Sequence, residues 1–323
     1  MSGAILGIDG GGSKTAVALA DRTGRVLETA RAQGINPLDN VHWKRDLAAV
    51  LAPFARSGAD GVAAALPAYG EMPGLSAEQE AFVAGLFPSA RVRLLNDVDA
   101  AQIGAFAGGP GMLLLAGTGS MAWARDSRGR SHRIGGWGDA IGDEGSAHWI
   151  GRRVLEAVSK AIDGRGEPTA LTSALGHMLA IDMSGMHGLE GWVSHLAAPR
   201  AAIAALAPVA ADCASSGDAV ARRIIDAAAA ELAAHVTALE RRERLPAADW
   251  SYAGGAFRSH VLRDAVAARL GRPPVSPRLP PIGGALLAAA QHLGWPLAPD
   301  FIERLAHSLR TGIVQDNLQL TTT

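Results

Sequence analysis

Short apolar runs separated by glycine loops and polar turns organise the first part of the chain. The run Ala4–Asp9 leads into a glycine-rich segment, and a second apolar run, Ala16–Ala20, follows it. After the polar turn Asp21–Gly24, the extended pattern resumes at Val26–Ala30. Strands joined first by a glycine loop and then by a polar turn predict an antiparallel meander of three strands.

The same order of elements returns about 107 residues later. The run Met112–Ala116 leads into Gly117–Ser120, and Met121–Arg125 follows as its partner. The segment Asp126–Gly129 is a turn that matches Asp21–Gly24 in composition. We interpret this repetition as a duplicated structural unit, because internal self-similarity is the sequence signature of repeated architecture.

The rest of the chain alternates helical and extended patterns. Helical spacing of apolar residues predicts helices at 40–56, 76–87, 99–106, 146–162, 283–293 and, as two or three helices, within 200–244. Further strands are predicted at Gly61–Leu66, Val92–Asn96 and Trp250–Ala253. The pattern predicts an α/β protein of two lobes, 1–107 and 108–293, whose last helix either stays with the second lobe or packs back on the first. Residues 294–323 are predicted to form a C-terminal helix and, from about Thr311, a disordered tail.

Composition excludes several classes of protein. The 323 residues are 48% hydrophobic and 19% charged, which is the balance of a folded α/β protein. A net charge of −1 argues against nucleic acid or an anionic membrane as a partner. The single cysteine, Cys213, excludes intrachain disulfides and metal sites built from several cysteines of one chain. Without a signal-peptide pattern or a long apolar stretch, we expect a cytoplasmic protein, and the alanine-rich helices leave a homodimer open.

The first glycine loop has a composition suited to phosphate binding. Asp9 ends the first strand and Gly10–Thr15 follows it. The loop matches neither common phosphate motif, because Ser13 rather than glycine precedes Lys14, and Thr15 stands where a dinucleotide fingerprint needs glycine. A carboxylate beside a phosphate loop requires a cation between them, and Mg²⁺ held largely through water is the usual one. A tight hairpin whose glycines serve geometry alone is the alternative.

Two further glycine loops strengthen the phosphate interpretation. Gly117–Ser120 occupies the matching position in the second unit, so two loops could grip a polyphosphate from both sides. Gly254–Phe257 follows a predicted strand, where backbone without Cβ atoms would let an adenine ring lie close. Three such loops in this order favour nucleotide binding over simple hairpin geometry.

These motifs together resemble the BadF/BadG/BcrA/BcrD-type ATPase family, and within it the N-acetylglucosamine kinase and glucosamine kinase branch. The resemblance rests on the glycine loops, on Asn96-Asp97, on Gly135-Gly136-Trp137-Gly138 and on Gly142-Asp143-Glu144-Gly145-Ser146. It implies the actin/hexokinase/Hsp70-like (ASKHA) fold, in which two ribonuclease-H-like lobes flank a central cleft that holds ATP, with the sugar deeper in it. It also implies ATP and Mg²⁺ as cofactors.

The resemblance assigns roles to particular residues. Asp97 is expected to be the general base and Asp9 to hold Mg²⁺. The implied nucleotide-binding residues are Gly10, Gly11, Gly12, Ser13, Lys14, Thr15, Gly117, Thr118, Gly119, Gly254, Gly255 and Phe257. The implied sugar-binding residues are Asn36, Gly70 in the loop with Tyr69, Asp97, Trp137, Gly138 and Asp143.

Simpler interpretations stand beside these roles. Asp97 or Asp99 could each be a helix N-cap, and Asp99 is the alternative base. Trp137 could instead be a core tryptophan, and Glu144 a carboxylate at a helix start. The sequence alone does not decide among these alternatives.

We therefore predict an ATP-dependent kinase that phosphorylates the 6-hydroxyl of N-acetylglucosamine or glucosamine. An acidic group near C2 would favour glucosamine and an apolar pocket beside Trp137 the N-acetyl compound; N-acetylmuramic acid and glucose also stay open. One alternative is an electron-transferring ATPase of the same family, but its shared iron–sulfur cluster needs two cysteine ligands from each subunit. The other is a non-catalytic sugar sensor, and the chain has no basic stripe for a DNA-binding form of it.

Overall fold

The computed structural model describes residues 3–12, 14–243 and 248–319, with side chains as far as Thr311. The chain divides into two compact units, Met1–Pro110 with Ser276–Thr323, and Gly111–Val275. The division assigns the last part of the predicted second lobe to the first unit.

The first unit is built on a five-stranded sheet in the order β3-β2-β1-β4-β5. The strands are β1 Ala4–Gly10, β2 Lys14–Asp21, β3 Val26–Gln33, β4 Gly61–Leu66 and β5 Arg91–Asn96. The first three pair antiparallel, which confirms the predicted meander, whereas β4 and β5 run parallel to β1. The carboxyl ends of β1, β4 and β5 therefore meet at one edge of the sheet.

Helices cover both faces of this sheet. After β3 the chain forms α1 Trp43–Leu51 and a short 3₁₀ helix, Ala52–Arg56; α2 is Pro73–Leu86 and α3 is Asp97–Ala105. Side chains of β1 alternate between two buried clusters, with Leu6 and Ile8 on the α1 side and Ile5 on the opposite side. This period of two is what a strand buried on both faces requires.

The second unit repeats the meander on a four-stranded sheet in the order β8-β7-β6-β9. Its strands are β6 Gly111–Ala116, β7 Ser120–Arg125, β8 Ser131–Gly135 and β9 Trp250–Ala253. Strands β6, β7 and β8 are antiparallel, and β9 runs parallel to β6. The duplicated order of strand, glycine loop, strand, turn and strand is confirmed.

Helices inserted between β8 and β9 make up most of the second unit. They are α4 Ala147–Ile162, α5 Ala170–Leu179, α6 Met186–Ser194, α7 Pro199–Ala204, α8 Ala207–Ser215 and α9 Ala219–Glu243, and α10 His260–Leu270 follows β9. A Cβ added to Gly151 would lie 1.9 Å from the carbonyl oxygen of Ile203, so α4 and α7 touch backbone to backbone. Small residues permit this distance, and it fixes α7 against α4.

The chain then returns to the first unit through α11 Pro281–His292 and α12 Pro299–Gln319. Leu286 and Ala289 of α11 pack in one buried cluster with Ile5 of β1, which is why this helix joins the first sheet. Of the two positions that the sequence allows for this helix, α11 therefore takes the one packed back on the first unit. Leu305 and Leu309 of α12 pack in the same cluster, and the helix continues to Gln319, past the predicted start of a disordered tail near Thr311. Residues 320–323 of that tail lie outside the described residues.

Across the described parts of the chain, no helix combines the length and apolar composition needed to span a bilayer.

Candidate active site

Asp9 stands at the carboxyl end of β1, in the middle of the first sheet. It pairs with Ala16 of β2 on one side and with Ala65 of β4 on the other. Burial raises the pKa of Asp9 to about 6, against the lowering effect of the Lys14 charge. A carboxylate in such surroundings gains from a nearby cation, and the metal-holding role of Asp9 stays a prediction.

Asp97 follows β5 at the same edge of the sheet and is the first residue of α3. Its Oδ1 accepts a hydrogen bond of 3.0 Å from the Val98 amide. Burial is the main cause that raises the pKa of Asp97 to about 7, and the charges of Asp9 and Glu71 add to it. The two predicted functional carboxyls of the first unit therefore interact electrostatically.

The helix cap at this position is neither aspartate. Asn96 is the N-cap of α3, and its Oδ1 accepts from the Val98 amide at 3.0 Å. The interpretation of Asp97 or Asp99 as the N-cap is wrong, because both lie one or more residues inside the helix. Asp99 is buried in the first turn, whereas Asp97 keeps part of its surface exposed.

The loop that follows β4 is tied to the Asn96 side chain. Nδ2 of Asn96 donates to the carbonyl oxygen of Tyr69 at 3.0 Å and to Oε1 of Glu71 at 3.1 Å. Gly70 has a φ of +81°, a conformation that suits glycine, and its amide donates to Ser76 Oγ at 2.9 Å. Gly70 thereby lies between two residues that are held by the side chain of Asn96, which is next to Asp97 in the chain. Sequence reasoning missed Glu71, although an acidic residue in a loop directly after a central strand was a usable signal.

The first glycine loop closes on itself and on the segment after β3. The Gly11 amide donates to the Lys14 carbonyl at 2.9 Å, and the Ile35 amide donates to the Gly11 carbonyl at 3.0 Å. A Cβ added to Gly10 would lie 2.6 Å from Ile35 Cδ1, whereas one added to Gly12 would meet nothing within 4 Å. The loop is packed at its base and open at its tip.

Three predicted residues near this loop have different surroundings. Asn36 follows Ile35, so it lies beside the loop, and its Nδ2 donates to Asp39 Oδ2 at 2.6 Å. Thr15 is buried, and its hydroxyl donates to the Gln33 carbonyl at 2.8 Å. Its side chain is therefore engaged, and only its backbone is left for the predicted contact with nucleotide. Ser13 lies outside the described residues.

The second glycine loop, Gly117–Ser120, is fastened to the start of α4. The Ala147 amide donates to the Gly117 carbonyl at 2.8 Å, and Ser120 Oγ donates to the Glu144 carbonyl at 2.7 Å. Thr118, at the tip of the loop, is exposed. The backbone of Glu144 thus holds this loop, and Ser146 rather than Glu144 is the N-cap of α4.

Asp143 lies beneath this loop and is only 3% exposed. Its Oδ1 accepts from the Ser120 amide at 3.1 Å, and its Oδ2 accepts from Arg200 Nη2 at 2.6 Å. A Cβ added to Gly119 would lie 2.9 Å from both carboxylate oxygens, so this carboxylate fits only beside a glycine. Arg200 was missed by sequence reasoning, because it stands 57 residues away and belongs to no motif.

Trp137 lies on the surface of the second unit, with 73% of it exposed. The alternative interpretation as a core tryptophan is therefore wrong. Gly138 has a φ of +85°, and Ile141 further along the loop is also exposed. The indole offers a flat accessible face of the kind that sugar rings contact.

The third glycine loop adjoins the second. Gly254 has a φ of +98°, and a Cβ there would lie 2.3 Å from the Ala116 carbonyl oxygen, so only glycine fits. Gly255 would place a Cβ in open space. The ring of Phe257 is 1% exposed and packs 5.7 Å from the Tyr252 ring, so it belongs to the hydrophobic core and not to an accessible surface.

The structure gathers the predicted residues in two places. In the first unit Asp9, Gly10–Gly12, Asn36, Gly70 and Asp97 surround the carboxyl edge of the sheet, and in the second unit Gly117–Gly119, Asp143, Gly254 and Gly255 surround the end of β6. Among the described residues, no group of three or more histidine, cysteine, aspartate or glutamate side chains could form an all-protein metal site. Burial raises the pKa values of both Asp9 and Asp97, and the assignment of Mg²⁺ to Asp9 stays a prediction.

The duplicated meander and its glycine loops define an α/β fold of the actin/hexokinase/Hsp70-like type. A model of the BadF/BadG/BcrA/BcrD ATPase family matches residues 6–289, and the chain belongs to this family. Over 244 residues it is 30% identical to an N-acetylmuramic acid/N-acetylglucosamine kinase of Clostridium acetobutylicum, an alignment that covers 73% of this chain and 78% of that protein.

Solved structures show the same fold. A candidate N-acetylglucosamine kinase from Chromobacterium violaceum superposes with a TM-score of 0.73 at 27% identity, covering 88% of this chain and 98% of that one. A ROK-family glucokinase from Streptomyces griseus, in complex with glucose and AMPPNP, superposes with a TM-score of 0.58 at 16% identity. That alignment covers 90% of this chain and 98% of the glucokinase, and at this identity it speaks for the fold alone.

Proposed function

We propose that this chain is an ATP-dependent sugar kinase that phosphorylates the 6-hydroxyl of an amino sugar, N-acetylglucosamine or glucosamine. The class of reaction is transfer of a phosphoryl group to an alcohol, as in the relatives named as kinases. The observation that carries the proposal is the pair Asp9 and Asp97, two interacting carboxyls at the sheet edge beside a glycine loop.

Asp97 is the proposed general base. A base that accepts a proton from a sugar hydroxyl works best with a pKa near the operating pH, and burial brings that of Asp97 to about 7. The Val98 amide orients the carboxylate, and the amide group of Asn96 holds the neighbouring loop. The transferred group moves through a transition state that needs positioning and charge neutralisation more than covalent help.

The nucleotide is proposed to bind through backbone groups of the glycine loops at Gly10–Thr15 and Gly117–Gly119, with adenosine near Gly254 and Gly255. Asp9 would hold Mg²⁺ through water, and the ion supplies neutralisation of phosphate charge when it is bound. Phe257 supports the third loop from the core, so its contribution to adenosine binding would be indirect.

The sugar is proposed to contact Asn36, Gly70, Trp137, Gly138 and Asp143. The exposed indole of Trp137 would lie against the ring or its N-acyl group, and Asp143 would read ring hydroxyls with the acceptor positions not taken by Ser120 and Arg200. The name of the Clostridium relative makes N-acetylmuramic acid a substrate worth testing alongside the two amino sugars.

An electron-transferring role is not supported. Cys213 is the single cysteine of the chain and is buried in α8, whereas the cluster of such ATPases needs two thiolates from each subunit. A homodimer through the alanine-rich helices stays a prediction, which light scattering on the purified protein would test.

The deciding experiment is a coupled assay of ADP release with glucosamine, N-acetylglucosamine, N-acetylmuramic acid, N-acetylmannosamine and glucose. We expect an amino sugar to give the highest kcat/KM, with ³¹P NMR of the product placing the phosphate at C6. Release no faster than the ATPase background with every sugar would contradict the proposal.

A further inference from the structure

Arg200 lies in α7, outside every glycine motif, and reaches a predicted functional residue. Its Nη2 donates to Asp143 Oδ2 at 2.6 Å, and its Nε stands 3.4 Å from Asp139 Oδ1. The Asp143 side chain is 4% exposed and that of Arg200 is 38% exposed. A carboxylate this deeply buried needs a cation or several donors, because burying an unpaired charge is costly.

Asp143 links Arg200 to the second glycine loop. One of its oxygens accepts from Arg200 and the other accepts from the Ser120 amide at 3.1 Å. The carboxylate also fills the space against Gly119 in which any Cβ would stand. The shape of the loop and the position of the carboxylate therefore depend on each other.

The backbone of Asp143 is itself in an unfavourable conformation. Its φ is +58°, in the left-handed region that residues other than glycine seldom adopt. Such a conformation persists only when surrounding contacts impose it, and it is common at functional sites. The Arg200 ion pair and the Ser120 amide are the contacts that hold the side chain of this residue in place.

The helix that carries Arg200 has a fixed position. Its first residue is Pro199, which suits a helix start. The Ile203 carbonyl lies against Gly151 of α4, leaving no room for a side chain between the two helices. The guanidinium is thus presented to Asp143 from a helix that is itself braced on the core.

We propose that Arg200 is a positioning residue that, through Asp143, fixes the shape of the loop Gly117–Ser120 for nucleotide binding. The inference rests on the proposed function, in which this loop contacts phosphate. It extends that function to a helix outside the motifs, and it assigns Arg200 no contact with substrate.

The test compares Arg200→Met with Arg200→Lys, which keeps the charge but not the planar guanidinium. By hydrogen exchange without ligand, we expect peptides containing the Ser120 amide to exchange ~10-fold faster or more in Arg200→Met, because that amide loses its fixed acceptor. By calorimetry, we expect Mg²⁺-ADP to bind ~5-fold or more weakly, with part of each effect restored by lysine.

Two matched controls separate positioning from general loosening. Ile203→Ala shortens a side chain of the same helix but keeps the guanidinium and the carbonyl contact with Gly151, and Arg153→Met removes an exposed arginine of α4 that pairs with Glu156. Both should exchange at Ser120 and bind ADP as the wild type does.

Unchanged exchange at Ser120 in Arg200→Met, or equal acceleration in Ile203→Ala, would overturn the inference. If Arg200→Met does not fold, Arg200→Lys is measured against the same controls and an intermediate acceleration is required. If the wild type binds no ADP, the proposed function fails, and the exchange data still decide whether Arg200 holds the loop.

Discussion

The two glycine loops connect equivalent strands, yet the protein holds them in different ways. The loop at Gly10–Gly12 is packed at its base against Ile35 and open at Gly12, where an added Cβ would meet nothing within 4 Å. The loop at Gly117–Ser120 is fastened along its length by Asp143, by the start of α4 and by a backbone bond between Gly117 and Gly119. Identical topology has therefore been given two local environments.

The acidic groups beside the two loops also differ in how far other groups of the protein satisfy them. Asp9 and Asp97 lie beside the first loop, and burial raises the pKa of each. Their ionised forms are therefore stabilised by a nearby cation, and without one they bind a proton more readily than usual. Beneath the second loop the carboxylate of Asp143 already has its donors in Ser120 and Arg200. Under the proposed function, the first unit would supply the reacting groups and the second a preformed phosphate loop, since a loop that is already ordered loses little entropy on binding phosphate.

The largest effect is expected from a change of Asp97, the proposed general base in the first unit. Asp97→Asn should lower kcat by at least ~100-fold while leaving the KM for the sugar largely unchanged, because an amide cannot accept the hydroxyl proton. Steady-state kinetics with the best sugar of the panel measure both quantities.

Asp99→Asn is the matched control, since Asp99 is buried in the same helical turn. Loss of turnover in that variant together with normal turnover in Asp97→Asn would move the base two residues along the chain.

A pair of glycine substitutions tests the difference in packing directly. Gly119→Ala should lower kcat/KM for ATP by ~10-fold and destabilise the fold by ~1–3 kcal/mol, because its Cβ would overlap the Asp143 carboxylate. Gly12→Ala should leave the melting temperature unchanged, and any effect of it should be confined to the KM for ATP. Equal losses of stability in both variants would show that the two loops are packed alike.

The raised carboxyls also predict how stability depends on pH. In the folded state Asp97 has a pKa of about 7, above its ordinary value of 3.8, so the native protein binds more protons than the unfolded chain between these values. The Asp97 contribution to the free energy of unfolding is therefore most favourable below 3.8 and is lost as the pH rises to about 7.

Asp97→Asn removes this dependence. Urea denaturation in the presence of a chelator should show the variant gaining stability over the wild type as the pH rises across that interval, with a plateau above it. A constant difference at all pH values would mean that Asp97 has an ordinary pKa.

Much of the first unit's site follows from local sequence pattern. Asp9 and Asp97 could be placed at strand ends because apolar runs stop directly before them, and parallel strands bring such ends together. Arg200 could not be paired with Asp143, and α11 could not be assigned to the first sheet, because both depend on tertiary packing between distant segments. The burial of Phe257 was hidden for the same reason, since a residue after a glycine loop can face either the core or solvent.

The smallest expected effect belongs to Lys14, the exposed cation of the first loop. Its charge lowers the pKa of Asp9, opposing the larger effect of burial. Lys14→Met should therefore raise the pKa of Asp9 further and increase the KM for ATP by no more than ~3-fold at moderate salt, because exposed charges are strongly screened. Kinetics at low and high ionic strength would show the difference from wild type shrinking as salt rises. A loss of activity as large as that of Asp97→Asn, and insensitive to salt, would instead mean that Lys14 contacts phosphate directly. The first glycine loop would then bind phosphate through a side chain as well as lie beside the reacting carboxyls.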